Sequence, residues 1–550
     1  MDRNARKNLT LALLMAGPLM AADPPRFTIE LPPRPTIEPG SAADVSKLFE
    51  PPTGTGRPAG SHGFLRTEQD QFQFEDGQAV RLWGANWPAV QPMPAGEQAA
   101  ALAQRLARQG INLLRVFLPG PRDPGELRRF EEFSGCLRAQ GVCLDLVLPG
   151  DTDQLARTNQ FTRFAPSEDA GIVLMEFLGP PQTRDAIRRR GARVPVAAAG
   201  TLQSAADVTP LGATEFFSQT VKWTDTGPMV KSSRTLLGPM GFGAPLGRPW
   251  LVGAWSVTAT NPFRAELPLW TAAIASFQRW AGVCLARDLV GAGTPDGPLD
   301  IVAWAWAPAS ALLFQRGDVA PAKSKMLFQL TPNNPAAATL RGDNEQFATA
   351  FSMGMTRFIF DAAETAPFGW MILGGTELAG VSALNPRTSD TGEITHDRDA
   401  GRLKIDTPRT QAVIGFFPSH PVETRDLRLT FTNGVFTAIA ATSLDGEPLM
   451  KSQRVLVTAT GRADPSGAPR LEPLAGTVTL RWLAPTQRDR KVFALDLTGH
   501  RTKEVPLEER GFRLQPELKS AWYEIVAESA LPKPPPQTNA PPAKVEKKLE

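Results

Sequence analysis

The feature that most narrows what this chain can become is a change of hydrophobic period inside residues 247–282. Trp250, Leu251, Val252, Ala254 and Trp255 form an apolar run too short for a buried helix, and a Gly-Arg-Pro turn precedes it, so the run reads as a buried strand. From Pro262 onward the spacing becomes three and four residues. Phe263, Leu267, Trp270, Ala273, Ile274, Phe277 and Trp280 then share one face of an expected helix, with Asn261 as its cap and Pro262 in its first position. A buried strand feeding an amphipathic helix is half of a parallel β/α repeat, and parallel strands need such crossovers.

The same rhythm recurs upstream. An Asp76-Gly77 turn marks an entrance hairpin across residues 63–81. A strand is expected at Leu82–Trp87, a helix at 94–110 carrying Ala99, Leu102, Leu106 and Ala107 on one face, a strand at 111–118, a helix at 124–140 and a strand at 142–148. Further strands are expected at 171–178 and 216–223. The span 150–170 is short for a crossover helix, so the repeat should be irregular there. The expected fold is therefore a (β/α)8 TIM barrel over about residues 61–321. A connection that is helical in part should follow over 322–385. From residue 386 to 528, short alternating strands broken by Gly, Asp and Pro turns predict an all-β antiparallel sandwich, with strands near 402–406, 411–416, 427–431, 435–441, 453–459, 476–482, 491–496 and 521–527.

A length of 550 residues with 42% hydrophobic and 21% charged residues suits a globular chain of two or three domains. A net charge of +3 with scattered basic residues argues against nucleic acid as a partner. The one dense basic cluster, Arg188 to Arg190, ends an expected helix, where the helix dipole accounts for it. Arg3, Arg6 and Lys7 precede an apolar run from Leu9 to Ala22, the layout of a signal peptide over residues 1–22, so the expected location is secreted or periplasmic with no membrane span after its removal. A Pro-rich leader over 23–60 and a disordered Pro- and Lys-rich tail over 529–550 flank the folded part. Cys136, Cys143 and Cys284 have neither disulfide nor metal-ligand spacing and read as buried thiols; no metal and no cofactor is assigned.

Several motifs then resemble secreted family 5-like glycoside hydrolases with a C-terminal β-domain. Trp83-Gly84-Ala85-Asn86 and Gly110-Ile111-Asn112-Leu113-Leu114-Arg115 match the family's first two strands, and Asn261-Pro262-Phe263-Arg264-Ala265-Glu266 its seventh repeat. Arg316-Gly317-Asp318-Val319 is similar to its closing turn, so this Arg-Gly-Asp triplet reads as structure. Residues 389–394, 406–411 and 443–448 are similar to its β-domain. The resemblance implies a (β/α)8 barrel acting on polysaccharide or oligosaccharide through two Glu residues, one ending strand four and one ending strand seven. By register those positions are Pro180 and Ala254, and neither side chain can do acid–base or nucleophilic chemistry. The family's supporting His and Tyr are also missing. His62, His396, His420 and His500 all fall outside 63–385, and the single tyrosine is Tyr523.

Glu176, the one acid in the fourth strand, is the remaining candidate for a catalytic acid, with Asp225 and Glu266 as other relocated carboxylates. The candidate carbohydrate-binding residues are Asn86, Trp87, Arg115, Trp223 and Trp255: indole rings can stack on sugars, and the amide and guanidinium can bond hydroxyls. Barrel packing is the competing reading for each Trp, above all for Trp255. Three functions remain open: a catalytically degenerate carbohydrate-binding homologue, an active glycosidase with relocated carboxylates, and a structural or assembly protein.

Overall fold

The computed structural model describes residues 27–50, 55–87, 91–118, 123–148, 152–180, 182–200, 214–285, 299–329, 340–360, 366–373, 384–483 and 489–531. The expected signal peptide and most of the expected tail lie outside the described residues. Eight parallel strands close into a barrel: β1 (Leu82–Asn86), β2 (Leu113–Phe117), β3 (Cys143–Leu148), β4 (Ile172–Phe177), β5 (Val196–Gly200), β6 (Phe217–Trp223), β7 (Trp250–Val257) and β8 (Gly282–Leu285). Pairing of Ser218 with Ala199 joins β6 to β5, and pairing of Gly282 with Leu82 joins β8 to β1.

Strand alternation sorts the barrel's side chains. Trp83, Leu114, Leu146, Met175, Trp250, Val252 and Val283 point outward into the layer beneath the helices. Leu82, Leu113, Cys143, Leu174, Ala197, Leu251 and Cys284 fill the lower interior together with Leu65, Phe72, Phe74 and Val80. Those last four come from the entrance hairpin, a three-stranded antiparallel sheet that plugs the N-terminal end of the barrel. Helix α1 (Gly96–Arg108) buries Ala99, Leu102, Leu106 and Ala107, the stripe that its spacing predicts. Helix α2 spans Pro124–Ala139, with Asp123 capping the N–H of Glu126. Among the described residues between β3 and β4, a short 3-10 turn, Asp153–Ala156, stands where a crossover helix would be, as the short span implies. After β4 comes α3 (Gln182–Arg189), and after β6 the brief α4 (Leu237–Gly241).

Two local expectations change. The helix after β7, α5 (Leu267–Phe277), begins at Leu267 with Pro268 in its first turn, not at Pro262. Asn261 instead caps a turn by accepting from the Phe263 N–H at 2.7 Å, and Glu266 spends its carboxylate on the backbone N–H groups of Met229 and Val230. The connection after the barrel holds a sheet as well as a helix. Lys325–Gln329, Met355–Ile359 and Met371–Leu373 form a small parallel sheet, ordered with Lys325–Gln329 in the centre.

Helix α6 (Ile301–Arg316) is apolar on every side and closes the barrel at Gly317, whose positive φ of 65° makes the left-handed C-terminal turn. It is buried because the sandwich covers its outer face; α7 (Glu345–Met353) packs against the small sheet. The sandwich has a nine-stranded antiparallel sheet and a four-stranded one, and the strands expected from the sequence are all present. Ile414, Ala438, Ala440 and Leu456 of the large sheet face the barrel, whereas Val413, Ile439 and Val457 face the smaller sheet, so the large sheet is covered on both sides. The leader is part of this packing: Ile29–Glu30 pairs with Arg470–Leu471, and Ile37, Ala43 and Phe49 are buried. No helix among the described residues is long and apolar enough to cross a membrane.

Candidate functional site

A polar network occupies the upper interior of the barrel, where five strands each deliver one inward residue. Arg115 on β2 donates from Nε to Oε1 of Glu176 at 3.1 Å and from Nη2 to Oε2 at 2.6 Å, a bidentate pair with β4. Its Nη1 donates to Asn86 on β1 at 3.1 Å, and Asn86 turns its amide N–H groups to the carbonyls of Gly253 at 2.8 Å and Leu285 at 3.1 Å. Asp145 on β3 sits 3.6 Å from the Arg115 Nε. Ser218 on β6 donates its hydroxyl to Glu176. Glu176 and Asp145 are fully buried and Arg115 is 7% exposed.

The sequence builds this assembly through a bulge. Ser218 pairs with Leu251 but Thr220 pairs with Ala254, so β7 carries one residue more than β6 between those points. The extra length sets Gly253 against the network. A Cβ at Gly253 would come within 2.2 Å of the Ser218 hydroxyl and 3.5 Å of both Arg115 Nε and Glu176 Oε1, so only glycine leaves room for that hydroxyl. The same count returns Trp255 to the outer face of β7.

Three ionisable groups share a dry site, and their charges are settled by one another. Neither oxygen of Asp145 meets a donor among the described N–H and O–H groups of other residues, yet Asp145 lies in hydrogen-bond contact with Glu176. Two ionised carboxylates cannot make such a contact, so one carries a proton. Burial, reinforced by the charge of Glu176, pushes Asp145 well above the usual carboxylate range. Burial also opposes the charge on Glu176, but the Arg115 guanidinium outweighs it and holds Glu176 below its ordinary value. The proton therefore rests on Asp145, which donates to Glu176. Arg115 thus supplies the Glu176 carboxylate with two donors, and Ser218 and Asp145 crowd its remaining side. Arg115 is likewise held in its charged form, the carboxylates overcoming the cost of burial.

The remaining candidates are dispersed. Pro180 is exposed beyond the end of β4, and Ala254 is half-buried near the end of β7. Trp87 is 2% exposed, donates its indole N–H to the Gln91 carbonyl at 3.0 Å and packs edge-on to Phe133. Trp255 is equally buried, in the apolar layer with Leu285 as its β8 partner. Trp223, at the end of β6, is half-buried. Asp225 is exposed and accepts the N–H of Gly227. Glu266 lies outside the barrel, where burial pushes it up to about 8 against the pull of its two backbone N–H partners. The network thus unites Asn86, Arg115 and Glu176 but none of the tryptophans. Asp145, Ser218 and Gly253 belong to it and went unread; a lone Asp inside the otherwise apolar run Cys143–Leu148 was the available signal. No group of three or more His, Cys, Asp or Glu residues suited to a metal occurs among the described residues.

No family model and no curated protein matches the chain. Solved structures do match. The chain is similar to an endo-1,4-β-mannanase from Rhizomucor miehei, at 11% identity over 40% of this chain and 90% of that one with a TM-score of 0.32. It is similar to a Thermobifida fusca endoglucanase solved with cellotetraose, at 15% identity over 42% and 86% with a TM-score of 0.30. A β-glucanase from Saccharophagus degradans matches at 12% identity over 46% and 94% with a TM-score of 0.33. At such identities and scores the likenesses say nothing of chemistry.

Proposed function

We propose that this protein is a catalytically degenerate glycoside-hydrolase-like barrel that binds oligosaccharide or polysaccharide without cleaving it. The observation that carries this reading is the enclosure of Glu176 in its bidentate pair with Arg115. A general acid must hold a proton at working pH and reach the leaving group, and a nucleophile must reach the sugar; Glu176 is held in its ionised form by Arg115 and is fully buried beneath the mouth. The positions that the family resemblance assigns to carboxylates are Pro180 and Ala254. Asp225 and Glu266 supply no facing pair, because the first is exposed and the second is buried outside the barrel. Within the mouth, Trp223 is the candidate stacking ring with some of its surface free, and sugar stacking on it would need no acid or base.

The experiment pairs a hydrolysis screen on mannan, cellulose, mixed β-glucans and aryl glycosides with calorimetric titration of the matching oligosaccharides. Expected is no turnover, together with binding of at least one oligosaccharide that Trp223→Ala weakens about tenfold, the loss of one stacked ring. Turnover abolished by Glu176→Gln would overturn the degenerate reading. Absence of both turnover and binding would favour a structural or assembly role, for which the packed leader is the supporting observation.

A further inference from the structure

The opposite end of the barrel carries a second cleft, unrelated to the network beneath the mouth. It has a volume of about 480 Å³ and opens between the N-terminal face of the barrel and the small parallel sheet that follows it. Arg81 immediately precedes β1, Arg279 lies between α5 and β8, Arg316 ends α6, and Lys325 begins the central strand of the small sheet; Val80 and Met355 supply apolar lining. No Asp or Glu is among its lining residues.

The nearby carboxylates neutralise these cations only in part. Asp70 is divided between Arg279 at 3.4 Å and Arg357 at 3.2 Å. Arg316 is committed, with Nη2 on Asp318 at 2.6 Å and Nη1 on the Ser443 carbonyl at 2.7 Å, while Asp318 also meets Arg409 at 3.6 Å and accepts the Thr410 hydroxyl. Arg81 donates to a neutral carbonyl, that of Phe314, at 3.0 Å, and Lys325 lies over the Trp370 ring. Burial together with the charge of Arg279 lowers Arg81 from its ordinary range. Attraction to helix C-termini accounts for Arg279, for Arg316 and for Arg81, which reaches the Phe314 carbonyl at the end of α6, but not for Lys325, which begins a strand.

The backbone at Arg279 is an independent sign. Its φ of 52° is left-handed, uncommon for a bulky residue, and the surroundings hold it there. Gln71 donates to the Arg279 carbonyl at 2.8 Å, Arg357 donates to the Gln278 carbonyl at 2.8 Å, and the Gln278 side chain bonds the carbonyls of Phe351 and Gly354. An ordinary helix end here would take glycine; this one presents a guanidinium to the cleft.

We infer that this cleft is a binding site for a small polyanion, a molecule bearing two or more phosphate, sulfate or carboxylate groups, held by Arg279 and Lys325 with Arg81 beside them. Guanidinium forks match oxyanions in bidentate geometry, and several cations around one space favour several charges on one ligand. The test is calorimetric titration of the whole protein with tripolyphosphate, sucrose octasulfate and trigalacturonate, which separate the three anion classes, at low and high salt. Expected is binding of at least one probe that weakens as salt rises, and that R279Q/K325Q weakens tenfold or more. Both side chains are exposed, and Lys325→Gln alone serves if Arg279→Gln disturbs the turn. No binding by any probe, or binding that survives in the variants, would overturn the assignment.

Discussion

The barrel's upper interior and the seam between barrel and sandwich both bury ionisable groups, and they meet the desolvation cost in opposite ways. In the interior, charge is kept and paired: Arg115 and Glu176 stay ionised because each is the other's partner, and Asp145 is neutral as a consequence. At one histidine in the seam, charge is given up. His396 on the large sheet donates its Nε2–H to the Val230 carbonyl at 2.8 Å, packs edge-on to Trp270 of α5, and is held down to about 4. Burial is the main cause there, with Arg387 and Arg398 adding to it. Several other polar contacts across the seam are likewise uncharged, such as the indole N–H groups of Trp304, Trp306 and Trp522 on Leu497, Thr460 and Ala305. The contrast teaches that a paired interior fails when a partner is removed, whereas a neutral seam fails when pH supplies a charge.

The largest effect is expected from breaking the pair. Arg115→Met leaves Glu176 buried without its cation, and such deletions cost about 3–5 kcal/mol because the abandoned charge has no water. Urea denaturation should show that loss at neutral pH. Replacing both members together, Arg115→Met with Glu176→Leu, should recover most of it, since no charge is then stranded. If the single and double variants are equally destabilised, packing and not pairing holds the interior.

Acid should find the seam next. The folded value of His396, about 4, lies below its unfolded value of 6.5, so the unfolded chain takes up a proton first. The contribution is complete above pH 6.5 and is lost as pH falls from 6.5 to 4, at about 1.4 kcal/mol per unit and roughly 3 kcal/mol in all. His396→Gln should flatten that part of the stability profile relative to the parent, while carboxylates elsewhere titrate in both. Unchanged steepness between pH 6.5 and 4.5 in the variant would show that the seam does not sense acid through this ring.

Which of these features the chain discloses in advance depends on how local the cause is. β1, β2 and β7 are legible because their apolar runs end in turn residues within a few positions. β5 escaped notice because Ala197, Ala198 and Ala199 have little strand preference, and the closed barrel imposes the conformation. β8 is four residues long and follows directly on a helical pattern. In the site, Glu176 stands out as the only acid of its strand, but its role depends on Arg115 lying across the barrel, a contact between positions sixty-one apart. The Ser218–Gly253 fit depends on a bulge that no pattern of apolar residues announces. Arg81, Arg279, Arg316 and Lys325 are scattered through the chain, and only folding makes one cleft of them.

The smallest effect is expected from trimming a neutral contact in the seam. Trp306 is fully buried on α6 and donates its indole N–H to the Thr460 hydroxyl at 3.1 Å. Trp306→Phe removes the donor and part of the ring while leaving the apolar surroundings in place. A neutral hydrogen bond contributes about 1 kcal/mol net, and the Thr460 oxygen it abandons is an uncharged acceptor whose desolvation cost is modest. The expected loss is about 1–2 kcal/mol once the lost ring volume is included, well below that of Arg115→Met. Measured in the same urea titration, it places the two regions on one scale. A cost equal to that of Arg115→Met would mean that the seam, like the interior, depends on individual polar partners, and the distinction between paired charge and relinquished charge would not govern the stability of this fold.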